Sequence, residues 1–129
     1  MIVRFLAVVI TGLALIAPGA HVFELFRKMA LSEQQYYVVQ DIYRGWWVVG
    51  LLLPAALIAN VALAIAVRDD LTARGLATAA ALILINLVVF AIWTRPVNLR
   101  RQWEYSHAAN AGITLAAFCA STLAALRRP

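Results

Sequence analysis

The chain is short of charge and almost without cysteine. Only 13% of its 129 residues are charged while 64% are hydrophobic, and mean hydropathy is +0.84. Soluble domains carry roughly 25% charged residues, so this composition excludes an ordinary water-soluble fold and points to an integral membrane protein. The single cysteine, Cys119, lies in an apolar run, which excludes an intrachain disulfide. No two-residue alternation of polar and apolar positions runs through the apolar stretches, which favours membrane helices over a transmembrane barrel. Net charge is +5, yet the basic residues stand at the ends of apolar runs. Without a basic patch or an aromatic-interleaved stripe, the chain is not a nucleic-acid binder. There is also no internal repeat and no low-complexity tract.

What is present is four apolar segments, at about 2–26, 46–67, 76–93 and 102–126. Each approaches the roughly 20 residues that cross about 30 Å of hydrocarbon as a helix. The connections RKMALSEQ, RDDLTARG and TRPVNLR are short and polar, so consecutive helices are antiparallel neighbours. The expected fold is all-α, an integral membrane up-down four-helix bundle over 1–129 as a single domain. The opening MIVRFLAVVITGLALIAPGA has the layout of a signal peptide but is read as a retained first span, kinked at Pro18 and Gly19. Before the second span, Ser32 and Gln35 fit a capping box, predicting a short amphipathic helical lead-in from Glu33. Asn60 and Asn86 fall mid-span, where interhelical hydrogen bonding is the expected role.

The two ends of such a bundle are unlike. Every Trp and Tyr falls at one of them: Tyr36, Tyr37, Tyr43, Trp46, Trp47, Trp93, Trp103 and Tyr105. An anchored bundle ordinarily carries aromatic belts at both interfaces. Here the other end has only charges: Arg4, Arg68, Asp69, Asp70, Arg74, Arg127 and Arg128. Six basic residues at the aromatic end against five at the other leave the orientation undetermined.

Both histidines lie at the aromatic end. HVFELFRK in the first helix sets His21 and Glu24 three apart, with Arg27 and Lys28 toward water. RRQWEYSH in the fourth sets Glu104 and His107 three apart in the reverse direction, with Arg100 and Arg101 toward water. Residues three apart share a helix face, about 4.5 Å apart along the axis. Antiparallel helices therefore put Glu24 level with Glu104 and His21 level with His107, one turn deeper. Facing one another, they converge two carboxylates and two imidazoles.

Three chemistries suit that group. His21, Glu24, Glu104 and His107 could ligate a transition metal ion, one rather than two because the second and third spans supply no further glutamate. His21 and His107 could be axial ligands to a haem. Without any metal, a desolvated glutamate and a histidine could pass protons to or from a lipophilic substrate. The bland alternative pairs Glu24 with Arg27 or Lys28 and Glu104 with Arg100 or Arg101, leaving the histidines as packing residues. Mirrored ionisable residues at matched depth favour a functional site, because intramembrane charge is costly.

Gln40, Asp41, Tyr43 and Arg44 could close the site from the water side, although Asp41 and Arg44 also suit a local ion pair. Trp46, Trp47 and Trp103 could wall a planar apolar ligand or simply anchor the interface. Asn98 and Asn110 are further hydrogen-bond donors, and Pro96 shapes the turn into the fourth helix.

HVFELFRKMALSEQQYYVVQDIYRGW, TRPVN and LRRQWEYSHAAN together resemble a family of small four-span bacterial membrane proteins related to the anthrone-oxygenase-like group. The resemblance implies a four-helix membrane fold in the bacterial inner membrane and oxidation of a polycyclic aromatic by dioxygen. Two functions of different class follow. One is a membrane oxidoreductase acting on a hydrophobic aromatic or quinone-like molecule from the lipid bilayer. Its catalytic residues are His21, Glu24, Glu104 and His107, with Gln40, Asp41, Tyr43, Trp46 and Trp103 holding substrate. The other is a non-catalytic accessory subunit, or a lipid- or pigment-binding component, in a homo-oligomer or larger membrane complex.

Overall fold

The computed structural model describes residues 2–67, 70–96 and 99–127, leaving the side chain of Val3 aside. Asn98, Arg68, Asp69 and Arg128, each assigned a place above, lie outside the described residues. The helices are α1 (Ile2–Leu13), α2 (Ile16–Ala30), α3 (Glu33–Gln40), α4 (Trp47–Gly50), α5 (Leu52–Ala66), α6 (Asp70–Val89) and α7 (Arg100–Leu126). A 3₁₀ turn covers Asp41–Tyr43 and a π-helical turn Phe90–Thr94, and no strand occurs among the described residues. Four helical stretches are long and apolar enough to cross a membrane: Arg4–Ala30, Trp47–Ala66, Asp70–Thr94 and Arg100–Leu126.

Proline sets two of the breaks. A proline ring presses on the carbonyl four residues earlier and cannot donate to it. Pro18 is the third residue of α2 and the carbonyl in question is that of Ala14, where the first long helix is interrupted at Ala14–Leu15. The bend therefore sits a turn ahead of Pro18 and Gly19, not at them. Pro54 repeats the arrangement in α5, with the interruption at Leu51. The Ser32 hydroxyl accepts from the Gln35 amide and the Gln35 side chain accepts from Ser32 N–H, so the capping box starts α3 at Glu33 as read. Gly45, at φ +92°, makes the left-handed turn that leads into α4.

The four long helices form a ring: α1 packs on α5, α5 on α6, α6 on α7, and α7 returns to α1 and α2. Its interior is mostly small or polar, with Leu63, Leu76 and Ile83 the large apolar exceptions. Ala7, Ala56, Ala79, Ala117 and Ala124 are buried beside Thr11, Thr72, Thr114, Ser106 and Ser121, while Phe23 (89% exposed), Phe26 and Ile65 point outward. Large apolar side chains outside and small ones at the helix contacts are what packing among lipid chains selects, because water does not drive the helices together there. Where α6 and α7 meet, a Cβ on Gly75 would stand 2.9 Å from Cβ of Ala124. Gly75→Leu is expected to push the pair apart at about 1–3 kcal/mol. Its thermal midpoint in detergent should fall, whereas Gly19→Leu, whose Cβ meets nothing within 4 Å, should leave the midpoint unchanged.

Asparagine–threonine hydrogen bonds tie the helices at three points. Asn60 donates to Thr11 at 3.0 Å, Asn86 to Thr114 at 2.9 Å and Asn110 to Thr94 at 2.9 Å. Asn60 and Asn86 thus bridge helices as read, each bond contributing about 0.6 kcal/mol on average in such settings. Thr94 reaches Asn110 from the π-helical turn, where Arg95 N–H bonds Phe90 C=O at 2.8 Å.

Candidate functional site

Beyond the hydropathy boundary near residue 26, α2 continues for another turn and carries Lys28 inward on the face of His21 and Glu24. That side chain is 1% exposed, the largest among the fully buried ones. Its ammonium has three hydrogens and three acceptors within reach: Glu24 Oε2 at 3.1 Å, His21 Nδ1 at 3.2 Å and Gln40 Oε1 at 3.4 Å. The ring of Tyr43 covers it at 4.1 Å, and Glu104 Oε1 lies 3.8 Å away. A buried ammonium is tolerable only when fully bonded and paired, and this one is both.

Glu104, the fifth residue of α7, is fully buried. Its Oε1 accepts from the Tyr36 hydroxyl at 2.8 Å and from Gln40 Nε2 at 3.4 Å, and Gln40 Nε2 also donates to the Tyr36 oxygen at 2.6 Å. Its Oε2 stands 3.6 Å from His21 Nδ1 without a hydrogen bond. Lys28 Nζ reaches that same nitrogen at 3.2 Å, and an ammonium has no lone pair, so Nδ1 is the acceptor in that contact. Arg100 locks the corner: Nη1 donates to Leu31 C=O at 3.0 Å, tying α7 to the end of α2, and its guanidinium lies 4.4 Å over Tyr36.

Inside this layer the two imidazoles stack, ring centroids 4.0 Å apart and planes within 16°. His21 also stacks on Tyr43, and His107 meets Trp103 edge-on at 4.7 Å and Phe90 at 6.4 Å. His107 is buried and its Nε2 has no partner; Trp103 Nε1 is likewise buried and unpartnered.

Of the residues picked from the sequence, His21, Glu104, His107, Gln40, Tyr43 and Trp103 come together here. Trp46 lies edge-on to Tyr43 at the margin, 4.9 Å away. Glu24 does not meet Glu104: it is 47% exposed, bonded to the Tyr43 hydroxyl, and joined to the other carboxylate only through Lys28. Asp41 is outside the cluster, paired with Arg44 at 2.9 Å at the exposed surface, and Trp47 faces outward. Lys28 and Tyr36 are the additions. Their signal was helical spacing, since Lys28 is four residues past Glu24 and Tyr36 four before Gln40, but both fall where hydropathy suggests water.

The two tyrosines lie outside the apolar spans and have raised pKa values. Burial is the main cause for each, followed by the hydrogen bond to a carboxylate, Glu104 for Tyr36 and Glu24 for Tyr43. A raised folded pKa means stability fully present below the unfolded value, about 10, and lost as pH climbs toward the folded one. Stability should therefore decline above about pH 10, and Tyr36→Phe should soften that decline in a chemical-denaturation series across pH.

A metal fits these residues poorly. Imidazole binds in its ring plane, and near-parallel planes 4.0 Å apart share no point where one ion could sit. The same stack leaves no room for a porphyrin between the two rings. The ammonium of Lys28 already occupies the centre of the donor set, and among the described residues no group of three or more His, Cys, Asp or Glu side chains is arranged to hold a metal ion. The geometry departs here from the ligand set read in the sequence. No protein-family model, curated protein or solved structure matches this chain.

Proposed function

We propose that the chain is an integral protein of the bacterial inner membrane that moves a proton from a hydrophobic aromatic or quinone-like weak acid, the acid–base half of an oxidoreductase reaction. The observation that carries this is His107: a buried imidazole with an unpartnered Nε2, stacked on a second imidazole that contacts Lys28 at 3.2 Å and stands 3.6 Å from Glu104. His107 takes the proton. His21, next to the ammonium and 3.6 Å from Glu104, tunes the charge that forms on the stack, and Lys28 offsets the substrate anion electrostatically. Tyr36 and Gln40 hold Glu104 in place from the water side. The four long apolar helices support the membrane setting.

For an anthrone-type substrate the balance closes without further reagents. The acidic CH₂ gives up a proton, dioxygen oxidises the resulting anion, and the CH₂ becomes C=O with one water released. Dioxygen is the oxidant. Purified protein in lipid nanodiscs should accelerate oxygen uptake with anthrone over protein-free nanodiscs, and Glu104→Gln should lose most of that acceleration while keeping the helical circular-dichroism spectrum. Equal uptake with and without wild-type protein would sink the catalytic reading. The accessory-subunit reading would then stand, with the Lys28 ion pairs as structural ties.

A further inference from the structure

Lys28 is the only lysine in the chain; every other fixed side-chain cation is an arginine. The difference is chemical. A guanidinium keeps its proton in proteins, whereas an ammonium can give one up and take it back. If the end of α2 needed only a permanent positive charge beside Glu104, arginine would supply it, as at Arg27 and Arg101 close by. Among the described residues, Lys28 is also the only lysine or arginine that is buried. The one cation enclosed in the protein is the one whose proton is transferable.

Its three acceptors differ in what they can do with that proton. Gln40 Oε1, at 3.4 Å, is an amide oxygen that accepts a hydrogen bond and nothing more. His21 Nδ1, at 3.2 Å, lies inside, on the ring that stacks with His107. Glu24 Oε2, at 3.1 Å, belongs to a carboxylate whose side chain is 47% exposed. Glu104, 3.8 Å away, has no exposed surface. The ammonium therefore stands one hydrogen bond from an inward imidazole and one from an outward carboxylate. All three groups sit on one face of α2, at spacings of three and four residues. Tyr43 completes the arrangement: its hydroxyl donates to Glu24 Oε2, and its ring lies 4.1 Å over Nζ. The ring keeps the ammonium covered and leaves the carboxylate as its contact with water.

We infer that Glu24, Lys28 and His21 form a proton port, through which the buried imidazole of His21 exchanges protons with water. Inward, an N–H proton of Lys28 passes to the lone pair on His21 Nδ1, leaving a neutral amine and an imidazolium. The amine takes the proton of the Glu24 carboxyl group, and the carboxylate takes one from water. Outward, each step reverses; one proton moves and no electron does. Glu104 makes the inner step electrostatically even. Its carboxylate stands 3.6 Å from His21 Nδ1 and 3.8 Å from Lys28 Nζ, so the charge passes between two places equally close to it. The port goes beyond the His107 reading and does not depend on it, since it serves the buried imidazole whatever substrate arrives.

The test uses the full chain in lipid nanodiscs with ¹⁵N-labelled lysine, which gives a single side-chain signal because there is a single lysine. Exchange of the Lys28 ammonium hydrogens with water is measured by nuclear magnetic resonance. Glu24→Gln still accepts from Lys28 and Tyr43 but takes no proton. Exchange should slow about 100-fold, the lower end of what a positioned acid–base group contributes. Glu24→Asp should recover most of the rate, and Glu33→Gln, which removes the same charge from the exposed start of α3, should leave it unchanged. Exchange unchanged or faster in Glu24→Gln, or slowed equally in Glu33→Gln, would overturn the inference. Lys28→Arg keeps the charge and withholds the proton, so ¹⁵N relaxation dispersion of labelled histidine should show slower proton gain and loss at His21 Nδ1. A wild-type rate there would overturn the inner step. Neither measurement uses a substrate. Absence of anthrone turnover therefore leaves the port standing, and failure of the port leaves His107 as a base without this route to water.

Discussion

Lys28→Met should be the most destabilising single change in the aromatic end of the bundle. Methionine keeps most of the side-chain volume but removes the ammonium that serves Glu24, His21 and Gln40 and lies 3.8 Å from buried Glu104. Removing one partner of a buried ion pair costs about 3–5 kcal/mol, mainly because the other charge is stranded. Glu24 contributes little to that cost, since it is half exposed and water can replace its partner. Glu104 cannot be hydrated so easily. Adding Glu104→Gln to Lys28→Met should therefore return stability, because the amide oxygen still accepts from Tyr36 while the stranded charge is gone. Denaturation of the single and double variants in one detergent measures the coupling. Strict additivity would mean that the ammonium does not compensate Glu104 at all.

His107→Phe should separate activity from stability. Phenylalanine preserves a ring against His21 and Trp103 and deletes a buried nitrogen that bonds to nothing, so the fold should lose no stability and could gain some. Turnover of an anthrone-type substrate should fall about 100- to 10,000-fold, the range for removing a general base. His21→Phe should behave oppositely in the first respect: it takes an acceptor from Lys28, and stability should drop together with rate. A histidine that only packs the bundle would give a stability loss in both variants and no rate difference between them. Oxygen uptake and thermal midpoints on the same preparations decide the matter.

The helix count, the antiparallel ring and the capping box at Ser32 were legible because each rests on short-range chemistry: apolar length, loop length and a three-residue side-chain pattern. The bend in the first helix was legible in cause but misplaced by a turn, because proline disturbs the carbonyl four residues before it. The convergence of His21 with Glu104 and His107 was readable from mirrored spacing on antiparallel helices. The role of Lys28 was not. Hydropathy places a lysine at the end of an apolar run in water, and only the packing of α3 and the Tyr43 turn over that end excludes water from it. The same covering layer brought Tyr36 to Glu104 and left Asp41 outside.

By itself the sequence determined a bundle with one ionisable, aromatic end, since composition and periodicity act along a single helix and are indifferent to what lies across from it. Tertiary structure decided which charges are buried, that the Lys28 ammonium stands beside the Glu104 carboxylate, and that the imidazoles stack. Those outcomes depend on the rotation of each helix about its axis and on a cover segment's closing contacts. No local pattern encodes either one.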